Sequence, residues 1–375
     1  MKLLHLSDLH IGRRIGNINL LDDQKHILAQ AVEMAQECDV ILLAGDIYDK
    51  AQPSSEAIRV VSNFFVSLSK LDKPVFVISG NHDSAEQIAY CHELLGQCGV
   101  FVSPAYEGAL QSHVLQDEFG EVHIWLLPFI KPANVRKFYA DVRSYDDAVR
   151  FVLESANVDL TVRNVLVAHQ FVSGSEVCES ESRLIGGLDQ VGLNQFAAFD
   201  YVALGHLHSP QRLAGGRICY SGSPLKYSLS EANQKKGALI VEIEEKGVLS
   251  VKKAPFKPLH DLRLVRGNLS DITKPDDYST DYIYVTVTDE QATLDPLGTL
   301  RLTYPSLIGM RIENSRTNVD EADYAEVADA EASSPLEHFI AFYQAQNNQT
   351  LPDEEKIAIM SEVIAEAEEM QNAPD

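Results

Sequence analysis

Five short apolar runs, each four to six residues long and each stopped by polar residues, constrain this chain more than any other feature. They span 2–6, 39–43, 74–78, 164–167 and 201–204. Up to about residue 260, β-branched and aliphatic runs like these alternate with helical patterns, and that alternation predicts an α/β domain. Between the second and third runs, residues 53–70 carry Ile58, Val61, Phe65 and Leu68 at spacings of three and four. That spacing predicts an amphipathic crossover helix, started by Pro53 and Ser54 or Ser55. Residues 237–255 read as two strand-like runs around Glu-Lys-Gly, a β-hairpin.

The polar stops carry the chemistry. In order they are Asp8-Leu9-His10, Gly45-Asp46-Ile47-Tyr48-Asp49, Gly80-Asn81-His82-Asp83, His169, and Gly205-His206-Leu207-His208. Ligands of α/β sheets bind beyond the carboxyl ends of the strands, so these clusters should converge. One Asp or His at a strand end is ordinarily a cap or a satisfied polar group; five clusters in strand order predict a site. Its donors are carboxylate, amide oxygen and imidazole without thiolate, which suits a divalent ion such as Mn, Fe or Zn. Asp8 with His10, and His206 with His208, are spaced to lie on one side of an extended segment. Seven ligands oversupply one ion; two ions sharing a carboxylate are reasonable, with Asp46 the natural bridge. Gly45, Gly80 and Gly205 precede ligands, where a chain turns sharply or approaches a metal or phosphate closely. Asp49 and Asp83 are either outer partners of the ligands or turn formers. Arg13, Arg14, Lys50, Lys131, Arg136 and Lys137 could meet phosphate, or be solvated bases. His5, His26, His92, His113, His123, His260 and His338 have no partner at ligand spacing and are assigned nothing.

Other features bound the class. No apolar run nears the roughly 18 to 20 residues needed to cross a bilayer, and His5, Asp8 and His10 interrupt any signal-peptide core, so no membrane is expected. Cys38, Cys91, Cys98, Cys178 and Cys219 are odd in number and form no C-x-x-C pair. A disulfide framework and a zinc finger are therefore not expected, and a reducing, cytoplasmic setting is. The net charge of −24 argues against nucleic acid at first sight. Its distribution weakens the argument, because residues 317–375 hold 15 acids and one base while residues 1–316 hold 40 acids against 30 bases. A composition shift at 267–278 ends a first domain of 1–266. A small unit over 267–316 follows, with a strand at 282–288, a short helix from Asp295 and a strand at 307–312. It should bury little by itself and lean on the first domain. An acidic, Ala-rich linker covers 317–335. In 336–371, Leu336, Phe339, Ile340 and Tyr343 form one helical stripe and Ile357, Met360, Val363 and Ile364 a second, with a turn at 347–352. Those stripes should bury on a partner or on the catalytic domain.

The blocks D-x-H, G-D-x-x-D, G-N-H-[DE], a lone His and G-H-x-H, in this order, resemble the calcineurin-like metallophosphoesterases. LHLSDLHIG, GDIYDKAQPS, ISGNHDS, LGHLHSPQ and YSGSPLKYSLSE are similar, more narrowly, to the SbcD family of bacterial SbcCD nuclease subunits, from residue 1 to about 258 and more loosely beyond. The resemblance implies a two-sheet β-sandwich flanked by helices, a small α+β capping domain over 267–316 and a C-terminal helical hairpin. It implies that Asp8, His10, Asp46 and His208 hold one metal and Asp46, Asn81, His169 and His206 the other, both Mn²⁺ with Mg²⁺ as a substitute. His82 matches the family's catalytic histidine, which protonates or steadies the leaving group. The implied function is a DNA nuclease subunit, exonuclease on duplex ends and endonuclease on hairpins or single strands, in DNA repair and recombination. An SbcC-like coiled-coil ATPase would be the partner of 336–371, and a homodimer through helices near 84–96 would sit within a heterotetramer. Three alternatives stand. A small-molecule phosphodiesterase or a phosphoprotein phosphatase could use this scaffold, although such phosphatases have Arg-Gly after G-D-x-x-D and G-N-H-Glu where this chain has Lys50 and Asp83. The third is a non-catalytic scaffold for DNA ends and SbcC.

Overall fold

Strands with no polar face must be covered on both sides, and the apolar runs are used in that way. The computed structural model describes residues 1–176, 190–291, 293–315, 317, 335–347 and 350–371. In it β1 (Lys2–Leu6), β2 (Val40–Ala44), β3 (Val75–Ile78) and β4 (Val100–Val102) lie parallel and adjacent. A second sheet uses β5 (Gln111–Asp117), β6 (Gly120–Leu127), β7 (Arg163–His169), β8 (Tyr201–Gly205), β9 (Gln211–Leu213) and β10 (Ile218–Tyr220), in the order β9-β10-β8-β7-β6-β5. The expected hairpin, β11 (Gly237–Ile243) and β12 (Leu249–Pro255), adds antiparallel to the free edge of β1 with Leu3 opposite Val241, giving β12-β11-β1-β2-β3-β4.

Leu3, Leu42 and Phe76 of the first sheet meet Ile124, Val167 and Ala203 of the second in one buried core, so the two sheets form a sandwich. The intervening residues of β1 and β2, Leu4 and Ile41 among them, are just as buried on the opposite face. That is the side which the crossovers α1 (Leu21–Gln36) and α2 (Ser55–Ser69) cover. On the back of the second sheet, Val149 and Val152 of α3 (Tyr145–Ser155) pack with Leu166, Val202 and Leu204. The five apolar runs are thus divided, three in one sheet and two in the other.

Helix α2 starts where expected, Ser54 accepting the Ala57 N–H at 3.2 Å, but its buried face is Ala57, Val60, Val61, Phe64 and Leu68. Ile58 is 49% exposed and Phe65 only half-buried. Two stripes at helical spacing share Val61 and Leu68, and the one containing Ala57, whose small side chain allows close approach, faces inward.

The chain divides into two compact units between Leu262 and Arg263. The second has a three-stranded sheet, β13 (Leu262–Gly267), β14 (Tyr282–Val287) and β15 (Leu307–Ile312), with β14 and β15 parallel. Between those two runs α4 (Pro296–Thr303), capped by Asp295 on the Gly298 N–H at 3.0 Å. Leu300 packs with Ile283, Val285 and Val287, so the unit keeps a small core of its own, more than its length promised. Helices α5 (Pro335–Gln346) and α6 (Glu354–Gln371) lie against each other with Leu336, Phe339, Ile340, Tyr343, Ile357, Met360 and Ile364 half-buried. Val363, assigned to the inner stripe, is instead 53% exposed. The linker at 318–334 and Cys178 lie outside the described residues. The other four cysteines are free thiols, and among the described residues no helix is long and apolar enough to cross a membrane.

Candidate metal centre

All five strands that carry polar stops end at the same rim of the sandwich. The stops interlock through the main chain: Asp8 N–H donates to Gly45 O at 3.0 Å and His10 N–H to Asp46 O at 2.9 Å. Four of the seven expected ligands have left-handed backbone, Asp8 (φ +53°), His10 (φ +43°), Asp46 (φ +50°) and His206 (φ +105°). For residues other than glycine such a conformation costs about 1–3 kcal/mol each and persists only where surroundings enforce it. The expectation that Asp8 with His10, and His206 with His208, share one side of an extended segment therefore fails, although all four still reach the same cluster. Gly45 turns sharply at φ +83°, and the other two glycines permit close packing. A Cβ on Gly80 would stand 2.1 Å from Asp46 Oδ1, and one on Gly205 would stand 2.0 Å from Ala44 O.

The convergence is close. Among the described residues, three groups offer donor atoms that lie within 4.8 Å of one another: Asp8, His10 and His208; His10, Asp46 and His82; and Asp8, Asp46 and His169. Asp46 Oδ2 is 3.5 Å from His10 Nε2 and also 3.5 Å from His169 Nε2. Asn81 Oδ1 completes the ring, 3.0 Å from His169 Nε2 and 2.8 Å from His206 Nδ1. All seven expected ligands and His82 are therefore together. None of the seven unassigned histidines belongs to these groups.

The donor set fits a cation. His169 Nδ1–H donates to Ala44 O at 2.8 Å, which leaves a lone pair on Nε2 facing the lone pairs of Asn81 Oδ1. Likewise His208 Nδ1 binds Glu231 Oε1 at 3.1 Å, and its Nε2 meets His10 Nε2 at 3.1 Å. Lone pair against lone pair is repulsive unless a proton or a metal ion lies between. Burial opposes charge on His169, yet Asp46, Asp8 and the Ala44 carbonyl overcome it and raise its pKa to about 9. Burial, then the neighbouring His169, drives His206 down to about 3. Burial raises Asp8, whereas Asp46 is held well below the usual carboxylate range despite burial by His169, His10 and His82.

Comparison with known proteins accords with this geometry. TT1561 of Thermus thermophilus, a crystal structure, aligns at a TM-score of 0.38 with 14% identity, covering 67% of this chain and 98% of that one, too distant to bear on function. Residues 1–210 match the calcineurin-like phosphoesterase model, and residues 258–347 match the model for the type 5 capsule protein repressor C-terminal domain. The SbcD subunit of the SbcCD nuclease of Staphylococcus epidermidis is 32% identical over 323 residues, covering 83% of this chain and 85% of that protein. The chain belongs to the SbcD family of calcineurin-like metallophosphoesterases. As an SbcD-family protein it is a metal-dependent phosphodiester hydrolase, a nuclease.

Around the SbcD-family cluster stand residues whose roles were open or unnoticed. Asp83 is a turn former: its carboxylate accepts the N–H groups of Gly80, Ile47 and Tyr48 at 2.9, 3.0 and 2.9 Å, tying two site loops together. Asp49 lies behind the site without a hydrogen bond to a ligand, its Oδ1 2.8 Å from Arg13 Nη1 and 3.8 Å from His10 Nδ1. Of the six candidate bases, Arg13 alone is tied to the site in this way. Arg14 donates to Asn17 O and Arg136 to Val142 O, and Lys50, Lys131 and Lys137 are exposed. Sequence reasoning passed over Gln24, which donates to His10 O at 2.7 Å, and Tyr227, whose hydroxyl donates to Leu9 O at 2.5 Å; both brace the strained Asp8–His10 segment. It also passed over Glu231, the one acid in YSGSPLKYSLSE, which no spacing ties to His208.

Proposed function

We propose that this centre is a two-ion, Mn²⁺-dependent DNA nuclease site in which Asp8, His10, Asp46 and His208 hold one ion and Asp46, Asn81, His169 and His206 the other. The observation that carries it is the position of Asp46 Oδ2, equally distant from His10 Nε2 and His169 Nε2 at 3.5 Å, as a shared carboxylate requires. When bound, the ions supply positive charge to the phosphodiester and acidify the attacking water. The protein's own part is orientation. The Ala44 carbonyl and the Glu231 carboxylate turn the Nε2 atoms of His169 and His208 inward, and the His206 N–H holds Asp8 Oδ1 at 2.9 Å. His82 binds Asp49 O through Nδ1 at 3.0 Å, which leaves Nε2, in its protonated state, to give a proton to the leaving oxygen. Such help is worth about 10²–10⁴ in rate, so the larger share of the barrier falls to the ions.

The remaining surfaces fit a complex. Phe342 and Ile359, 61% and 56% exposed on the helical hairpin, suit an SbcC-like coiled-coil ATPase. An apolar groove of about 330 Å³ between α2 and residues 87–100, with Ile58, Phe65, Val66, Tyr90 and Leu95 in its lining, suits a second copy of this chain. Free thiols suit a cytoplasmic setting.

The test pairs a labelled hairpin-capped duplex with a chromogenic phosphodiester, under Mn²⁺, Mg²⁺ or chelator, for wild type, Asp46→Asn and His82→Ala. Mn²⁺-dependent DNA cutting is expected, abolished by Asp46→Asn and reduced about 10²–10⁴-fold by His82→Ala. Cleavage of the small diester without any DNA cutting, even with SbcC added, would leave a small-molecule phosphodiesterase.

A further inference from the structure

Behind His208 lies a charged pair that takes no direct part in the cluster. Glu231 is fully buried and Lys236 is 8% exposed. Lys236 Nζ lies 2.6 Å from Glu231 Oε2, and Glu231 Oε1 lies 3.1 Å from His208 Nδ1. The same ammonium donates to the carbonyl of His208 itself at 2.8 Å and to Ser223 Oγ at 2.7 Å. The carboxylate also accepts Ser228 Oγ–H at 3.0 Å and the Tyr227 N–H at 3.2 Å. Burying such a pair costs several kcal/mol per charge before attraction returns any of it, and apolar side chains of similar volume usually serve stability as well or better. A buried pair that grips one histidine by both ring and main chain therefore calls for a role other than stability.

We infer that Glu231 and Lys236 are positioning residues for His208, holding its Nδ1 protonated and its Nε2 bare and aimed at the ion position that it shares with His10. This rests on the reading of His208 as a metal ligand. Glu231 fixes the tautomer and makes Nε2 a stronger donor, as carboxylates behind ligating histidines do. Lys236 keeps Glu231 ionised and pins the His208 carbonyl, so that ring and backbone cannot swing together. His169 has only a neutral carbonyl, Ala44 O, in the equivalent place.

The experiment titrates Mn²⁺ into the chelator-stripped full-length chain by calorimetry, with the metal-free melting temperature recorded in parallel. Four proteins are compared with wild type: His208→Ala, Glu231→Gln, Lys236→Met, and the double variant Glu231→Gln/Lys236→Met. Glu231→Gln is expected to weaken Mn²⁺ binding about 10- to 100-fold. The double variant, which removes both charges of the pair, is expected to regain most of the melting temperature and none of the affinity. If it regains both, the pair is merely structural and the inference is overturned. Wild-type affinity in Glu231→Gln together with weakening in His208→Ala overturns the inference alone. Wild-type affinity in His208→Ala overturns the ligand reading and this inference with it.

Discussion

At the residue scale, Asp46 does separate work with its two oxygens, Oδ1 accepting the His82 N–H at 2.9 Å while Oδ2 faces His10 and His169. Gly80 is what lets it stand there. A methyl at that position would come within 2.4 Å of the Asp46 amide nitrogen as well as crowding Oδ1. Gly80→Ala is therefore expected to cost about 1–3 kcal/mol in a denaturant melt and to depress Mn²⁺-dependent diester hydrolysis even at saturating Mn²⁺. Wild-type rates in that variant would mean that Asp46 is not used as proposed. The residues of the cluster were legible because they lie in the polar stops that end the apolar runs. Left-handed φ at Asp8, His10 and His206 was not, since it is imposed by contacts from other strands. Nor was Glu231, which reaches His208 across 23 positions with no periodic pattern to mark it.

At the element scale, the strands do more than end at the site. His5, on β1, is sealed inside the sandwich, bound to Tyr201 OH at 2.8 Å and to Leu204 O at 3.2 Å. It thereby ties the first sheet to β8, one residue before Gly205. Burial, opposed only by the Leu204 carbonyl, drives its pKa from 6.5 down to about 3. The unfolded chain binds that proton near pH 6.5 and the folded chain does not until about pH 3, so stability is intact above 6.5 and falls through the window between. The slope is about 1.4 kcal/mol per pH unit from this one group. Urea unfolding of the chelated protein between pH 7.5 and 4.5 should show a slope shallower by that amount in His5→Leu, whatever the variant loses in overall stability; an unchanged slope would exclude His5 as its source. Strands and crossover helices were readable from run length and spacing, and the hairpin from its turn. Which stripe of α2 faces inward was not, because two overlapping stripes satisfy the same period. Membership of one sheet or the other was equally hidden, since strands buried on both faces look alike in both.

At the scale of the whole molecule, the clustered polar stops belong to the first compact unit and the helical hairpin to the second, and the negative charge is concentrated toward the chain's end. If the hairpin is a docking element, Phe342→Asp in the full chain should abolish association with an SbcC-like partner by size-exclusion chromatography while leaving hydrolysis of a small diester unchanged; retained association would place the contact elsewhere. The acidic tail was visible in the counts. The separate core of the second unit was not, because β13 precedes the composition shift that marked the boundary. A last consequence follows from the division of the proposed ligands, with Asp8, His10, Asp46 and Asn81 following strands of the first sheet and His169, His206 and His208 at the ends of strands of the second. An ion gripped from both sides works as a clasp on the sandwich, and mass action tightens it. Each tenfold rise in free ion above its dissociation constant adds about 1.4 kcal/mol to the closed form. A chain whose sheets have parted has no site, so a nuclease is disarmed by the same event that unfolds it.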